Sequence, residues 1–166
     1  MTIPEIISRI KEPVRFDGRP VDQGTIMSIL EAARLAPSAN NSQIWRFFII
    51  RDDVTLRQAA LLAGRPVFSS ARTIIAACAN PWIVATRGEE QPFFMIDVPI
   101  ALAHITLMAR EAGVSVSLAF EFDEDRLLSL ISAPRRYRAV ALMALGYSEE
   151  DRPRLDETRD DIVRII

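Results

Sequence analysis

The sequence predicts a single-domain α+β fold over residues 1–166, on three observations. Apolar stripes at helical spacing alternate with short aromatic and β-branched runs, and aspartates suited to capping stand at the start of the stripes. Hydrophobic residues make up 49% of the chain and charged residues 25%, a globular balance too apolar for disorder. A chain of 166 residues is long enough to bury well over half the surface its unfolded form exposes, so one core is expected.

Asp22 is placed to cap a helix in which Ile26, Ile29, Leu30 and Ala33 fall at i, i+3, i+4 and i+7, giving one buried face. Pro37 disfavours helical geometry in the residue ahead of it, so the helix stops before it and 38–42 form a short polar loop. Trp45–Ile50 reads as a buried strand, followed by a turn at Asp52 and Asp53 and a helix through about Ala63. Thr73–Ala79 is a second strand, closed by Asn80 and Pro81. Asp97 is read as the cap of a long helix running to Ala112, with Gly113 as its left-handed stop. That helix is apolar nearly all round, which places it inside the protein or in a subunit interface. A short strand is expected at 114–118, a helix over 126–131 capped by Asp123, and a last strand at 139–145 ended by Gly146. The charged tail finishes with Ile162, Val163, Ile165 and Ile166, an apolar end expected to dock on its own body or on a partner.

Composition removes several function classes. Net charge is −2 and Lys11 is the only lysine. Arg135, Arg136 and Arg138 around Tyr137 read as a solvated loop, so no nucleic-acid partner is expected. Cys78, the single cysteine, lies in an apolar run and reads as a buried inert thiol, which excludes a disulfide framework and fits a reducing cytoplasm. Residues 1–9 lack a signal-peptide layout, and no run reaches the roughly 20 apolar residues that span a bilayer, so a soluble cytoplasmic protein with no membrane partner is expected. His104 is the only histidine; it reads as a hydrogen-bonded core or interface residue, and with one cysteine it forms no metal cluster and no nucleophilic triad. Glycine-rich phosphate loops are absent. No side chain is assigned as a catalytic acid, base or nucleophile, so enzymatic chemistry would have to be carried by a bound cofactor.

The informative segment is Ala36-Pro37-Ser38-Ala39-Asn40-Asn41-Ser42-Gln43-Ile44-Trp45-Arg46-Phe47. It sets compact hydrogen-bonding side chains on a tight helix-to-strand connection, which serves either as a ligand-holding loop or simply as a helix stop and turn. The stretch resembles the A-P-S-x-x-N-x-Q-P-W-x-F signature of the nitroreductase family, with Ile44 standing where that family usually has proline. Further landmarks follow in the same order: Phe16-Asp17-Gly18-Arg19-Pro20-Val21, the long helix at 97–113, Phe122-Asp123-Glu124 with Leu127 and Ile131, Val140-Ala141-Leu142-Met143-Ala144-Leu145-Gly146-Tyr147, and Arg152-Pro153-Arg154-Leu155.

The resemblance implies a nitroreductase-like fold, a central mixed or antiparallel sheet surrounded by helices, in a homodimer with FMN in two interfacial sites. It implies electron transfer from NAD(P)H through the flavin to a nitroaromatic, quinone or similar small acceptor by ping-pong exchange. Pro37, Ser38 and Asn41 would line the isoalloxazine and ribityl chain from the partner subunit, and Gln43 would support the loop. Arg152 and Arg154 would meet the phosphate with guanidinium forks.

Two departures from the family pattern stand out. Where relatives carry R-R-S-x-R, this chain has Ile10-Lys11-Glu12-Pro13-Val14; a one-residue shift recovers Lys11 and Arg15 as phosphate cations, while Glu12 would repel the phosphate unless turned away. After the long helix, Gly113-Val114-Ser115 stands where the family has G-L-G followed some residues later by another glycine near the flavin, so Ser115 replaces a glycine, and in the following Phe120-Glu121-Phe122 the Phe120 ring would either stack on the flavin or fill its space. These departures motivate an alternative, the same dimer with a weakened or lost flavin site acting as a ligand-binding or regulatory module. A purely structural dimer is the third reading.

Overall fold

The computed structural model describes residues 1–83, 86–87 and 91–151. Eleven elements follow in chain order among them: α1 (Ile3–Ser8), α2 (Gln23–Arg34), β1 (Trp45–Ile50), α3 (Asp53–Leu62), β2 (Thr73–Ala79), β3 (Thr86–Arg87), β4 (Gln91–Pro92), α4 (Phe94–Glu111), β5 (Ser115–Ala119), α5 (Glu124–Leu130) and β6 (Arg138–Gly146). Four strands pair antiparallel in the order β1-β2-β6-β5, and β3 pairs with β4 in a separate two-stranded ribbon.

Strand alternation explains the layering. Every residue of β2 is buried, and its side chains divide between the two faces of the sheet. Ile75, Ala77 and Ala79 join Ala141, Met143 and Leu145 of β6 under α2 and α4, with Ile26, Ile29, Leu102 and Ile105 in that cluster. Ile74, Ala76 and Cys78 face the other way, joining Leu142 and Ala144 beneath Leu56, Phe68 and Leu127. A sheet covered on both faces needs apolar residues at both parities, which is why β2 reads as a continuous apolar run. The small residues Ala76, Ala77, Ala79, Ala141 and Ala144 keep helices and sheet close together.

Helix starts follow their caps. Asp22, Asp52 and Asp123 accept hydrogen bonds from the backbone N–H groups of Thr25, Thr55 and Arg126, opening α2, α3 and α5. Gly113 has φ +74°, the left-handed stop expected after α4. The bounds of β1 and β2 coincide with the sequence reading, while β5 starts one residue later than 114 and β6 extends one residue beyond each end of 139–145.

Asp97 is a correction. It does not cap α4, which starts a turn earlier at Phe94; it lies buried inside the first turn, 3% exposed, and its carboxylate accepts the Ala39 N–H. The apolar residues Phe93 to Ile96 hid the true start, since no polar capper precedes the helix. α1 is an addition to the elements expected above, and Thr2-Ile3-Pro4-Glu5 carries its signal: the Glu5 carboxylate accepts the Thr2 N–H at 2.8 Å.

Candidate functional site

The connection between α2 and β1 is built from left-handed residues. Asn40 and Asn41 have φ +53° and Gln43 +46°, a region that asparagine tolerates and glutamine adopts only when its surroundings hold it there. Those surroundings are specific. The Gln43 N–H donates to Ser38 Oγ at 3.1 Å, the Asn41 N–H to the Ser38 carbonyl at 2.9 Å, and the Gln43 side-chain amide to Asn41 Oδ1 at 3.2 Å. From outside the loop, Asp97 receives the Ala39 N–H at 3.1 and 3.2 Å through its two oxygens. Ile44, in the family's proline position, is buried in the core and anchors the exit, and its carbonyl accepts the Asn80 N–H at 3.1 Å. Pro37 and Asn41 remain exposed, Ser38 is half-buried, and the Ser42 hydroxyl is buried without a hydrogen-bond partner among the described residues.

The second group of expected residues gathers elsewhere. Residues 13–17 run beside 147–151: Pro13 bridges Asp151, the Val14 N–H donates to the Glu150 carbonyl at 3.0 Å, and the Asp17 N–H to the Tyr147 carbonyl at 2.9 Å. Arg110, in the last turn of α4, pairs with Asp151 at 3.1 Å. Lys11 lines a small hollow with Thr106, Arg110 and Ser115, and both Lys11 and Arg15 are exposed. Ser115 itself is buried in the single chain, at 3% exposure, beside a hollow of only about 10 Å³. Arg152 and Arg154, the expected phosphate forks, lie outside the described residues, as does the apolar end of the tail.

The two groups sit at opposite ends of α4. Thirteen residues separate Asp97, which holds the loop, from Arg110, which borders Lys11 and Ser115; at 1.5 Å per residue that is about 20 Å. The sheet places them the same way. Trp45 at the loop's exit pairs with Ala79, and Ala79 with Arg138 at one end of β6, whereas Ser115 pairs with Gly146 at the other end. One chain therefore does not bring Pro37, Ser38 and Asn41 together with Lys11 and Ser115.

Glu12 is turned onto other partners. Its Oε1 accepts Ser117 Oγ at 2.8 Å and pairs with the Arg65 guanidinium, whose other terminal nitrogen donates to the Leu118 carbonyl. Arg65, unremarked in the sequence reading, follows Gly64, whose φ of +63° turns the chain out of α3. Phe120 is 56% exposed and lines a hollow with Ala63, Gly64, Arg65 and Glu121, which none of Pro37, Ser38 and Asn41 joins. A larger cavity of about 480 Å³, bordered by Leu56, Arg57, Leu61, Arg65 and Phe68, contains none of the expected site residues either.

Other candidates are quiet. Burial pushes the Cys78 thiol up to about 12, so it is not a nucleophile at neutral pH. His104 is half-buried on α4 rather than in the core. Among the described residues no group of histidine, cysteine and carboxylate side chains could hold a metal, and no helix is long and apolar enough to cross a membrane. Arg138 pairs with Glu124 at 2.8 Å, and Arg136 lies over the Tyr137 ring.

An antiparallel sheet between helical layers, with a braced polar loop at one end of its central helix and a basic segment at the other, defines an α+β protein of the nitroreductase type. The model of the nitroreductase family matches residues 15–76, which contain both the Phe16-to-Val21 approach and the polar loop. A protein of Archaeoglobus fulgidus, provisionally named an NADH dehydrogenase/NAD(P)H nitroreductase, is 31% identical over 145 residues, covering 82% of this chain and 80% of its own. The chain belongs to the nitroreductase family, and so to the oxidoreductases. Among solved structures, a nitroreductase family protein of Streptococcus pneumoniae TIGR4 superposes with a TM-score of 0.88 at 20% identity, over 99% of this chain and 100% of that one. An FMN-dependent nitroreductase of Clostridium difficile R20291 gives 0.80 at 19% identity, covering 96% of each chain. At these identities the structural likenesses speak for the fold.

Proposed function

We propose that this chain is an FMN-dependent NAD(P)H oxidoreductase, a homodimer with two interfacial flavin sites that passes electrons to a nitroaromatic, quinone or similar small acceptor by ping-pong exchange. The observation that carries the reading is the division of the expected site between the two ends of α4. Two chains related by a twofold axis supply the loop of one and the basic segment of the other. Apolar side chains exposed on α2 and α4 and at the C-terminal end of α2, among them Met27, Leu35, Met95 and Ile96, provide surface for such pairing.

The donor set suits the cofactor. Asn41 spends its side-chain oxygen on Gln43 and keeps its amide hydrogens, Ser38 accepts through its hydroxyl oxygen and keeps its proton, and the Ser42 hydroxyl has no partner among the described residues. Lys11 and Arg15 are paired with no carboxylate among those residues and are proposed, with Arg152 and Arg154, to hold the phosphate. When bound, FMN supplies the redox chemistry, hydride uptake from the nicotinamide and release of electrons to the acceptor. The chain's own residues orient the cofactor. The left-handed turn, held by Asp97 and Ser38, fixes where Pro37 and Asn41 stand, and no side chain is required as an acid or base.

The test is a visible spectrum of the purified protein with and without added FMN. A yellow protein whose absorbance bleaches on adding NADH or NADPH under nitrogen supports the reading. A colourless protein that takes up no FMN overturns it and leaves the non-redox dimer. Glu12 is one of the two grounds for that second reading, and its engagement by Arg65 and Ser117 weakens it.

A further inference from the structure

We infer that Arg65 is a positioning residue for the phosphate end of the cofactor site, acting through Glu12. The inference rests on the flavin reading above. Glu12 is a carboxylate between two exposed cations, Lys11 and Arg15, in a segment that would otherwise present only positive charge to a dianion. A fixed negative charge at that place opposes phosphate binding twice, by direct repulsion and by drawing Lys11 or Arg15 onto itself.

The geometry answers both problems. One Arg65 nitrogen is pinned on the Leu118 carbonyl in β5, which aims the other at Glu12. Ser117, two residues into β5, donates to the same carboxylate oxygen at 2.8 Å. The Glu12 side chain is thereby drawn onto β5 and supplied with a counter-charge, while Lys11 and Arg15 stay exposed. Arg65 and Glu12 are both only partly exposed, so the pair is screened less than a surface ion pair would be. Arg65 lies just beyond α3, outside the motifs quoted from the sequence for the family resemblance.

The experiment measures FMN dissociation constants by quenching of flavin fluorescence for the wild type, Arg65→Met, Arg65→Lys, Glu12→Gln and the double variant, with thermal midpoints as a check on folding. Arg65→Met is expected to weaken FMN binding about tenfold or more, by an amount that shrinks between about 0.05 M and 0.5 M salt. Arg65→Lys, which keeps the charge, and the double variant, which removes both charges, are expected within about threefold of wild type. Rescue by Glu12→Gln is the outcome that mere packing does not produce. An Arg65→Met variant with wild-type affinity, or a folded double variant that binds no better than Arg65→Met, overturns the inference. Should Arg65→Met fail to fold, the double variant decides alone. A wild-type protein that takes up no FMN overturns the function itself, an outcome distinct from a flavoprotein indifferent to Arg65.

Discussion

Asp97 shows how far a residue's role can lie from its nearest sequence signal. An aspartate ahead of an apolar stripe has the signature of a helix cap, yet its carboxylate is buried and closes a loop 58 residues away. Sequence periodicity carries no information on such a contact, because it depends on α4 packing across the start of β1. Hydrogen bonds to a charged acceptor contribute about 1.5–3 kcal/mol. Asp97→Ala is therefore expected to lower unfolding stability by about that amount and to weaken FMN binding by releasing the Asn41 turn, with Asp97→Asn milder on both counts; urea denaturation and flavin titration check this. Gly146 is a second case. A Cβ there would meet the Phe16 ring at 2.7 and 2.9 Å, so Gly146→Ala is expected to destabilise by about 1–3 kcal/mol through overpacking. A Gly146→Ala protein as stable as wild type would show that Phe16 can move aside.

Elements were legible where their causes are local. β1 and β2 were found to the residue because aromatic and β-branched runs end at polar or proline-bearing turns. The capped starts of α2 and α5 follow from Asp22 and Asp123, and Asp52, read as part of a turn, turns out to cap α3. α4 was misplaced at its start because its first turn continues an apolar run without a capper. The caps also make stability depend on pH. The carboxyl of Asp22 is held below the ordinary aspartate value by hydrogen bonds from the Thr25 hydroxyl and then its N–H, and that of Asp52 chiefly by the Thr55 N–H. A group whose folded value is depressed contributes fully above its unfolded value, and that contribution disappears as pH falls through the folded one. The urea midpoint of the wild type should thus fall more steeply below about pH 4 than that of an Asp22→Asn, Asp52→Asn variant. Parallel curves for the two proteins would assign the acid sensitivity to other carboxylates.

At the scale of the whole molecule, the family was legible from one dense motif and a series of landmarks in order, and the fold followed from it. The candidate site was legible only in part. Pro37, Ser38 and Asn41 were named from the motif, but the left-handed turn that presents them, the Asp97 brace and the Arg65 clamp on Glu12 are all products of contacts between distant segments. Ser115 follows the end of α4 along the chain, but nothing in the sequence places Lys11 beside it or the loop at the opposite end of the helix. On the function proposed above, that separation, about 20 Å along the helix, requires two chains to complete each site, and light scattering is expected to give a dimer.

Mixed dimers test this most directly. One chain carries Ser38→Ala and Asn41→Ala, the other Lys11→Ala and Arg15→Ala, each with its own affinity tag, and FMN content is measured on the purified heterodimer. A site shared between chains leaves one of the two sites wholly native, so the heterodimer should bind one FMN tightly while both parent homodimers bind it poorly. A heterodimer that binds flavin no better than its parents would mean that each site is built within a single chain, and would contradict the account.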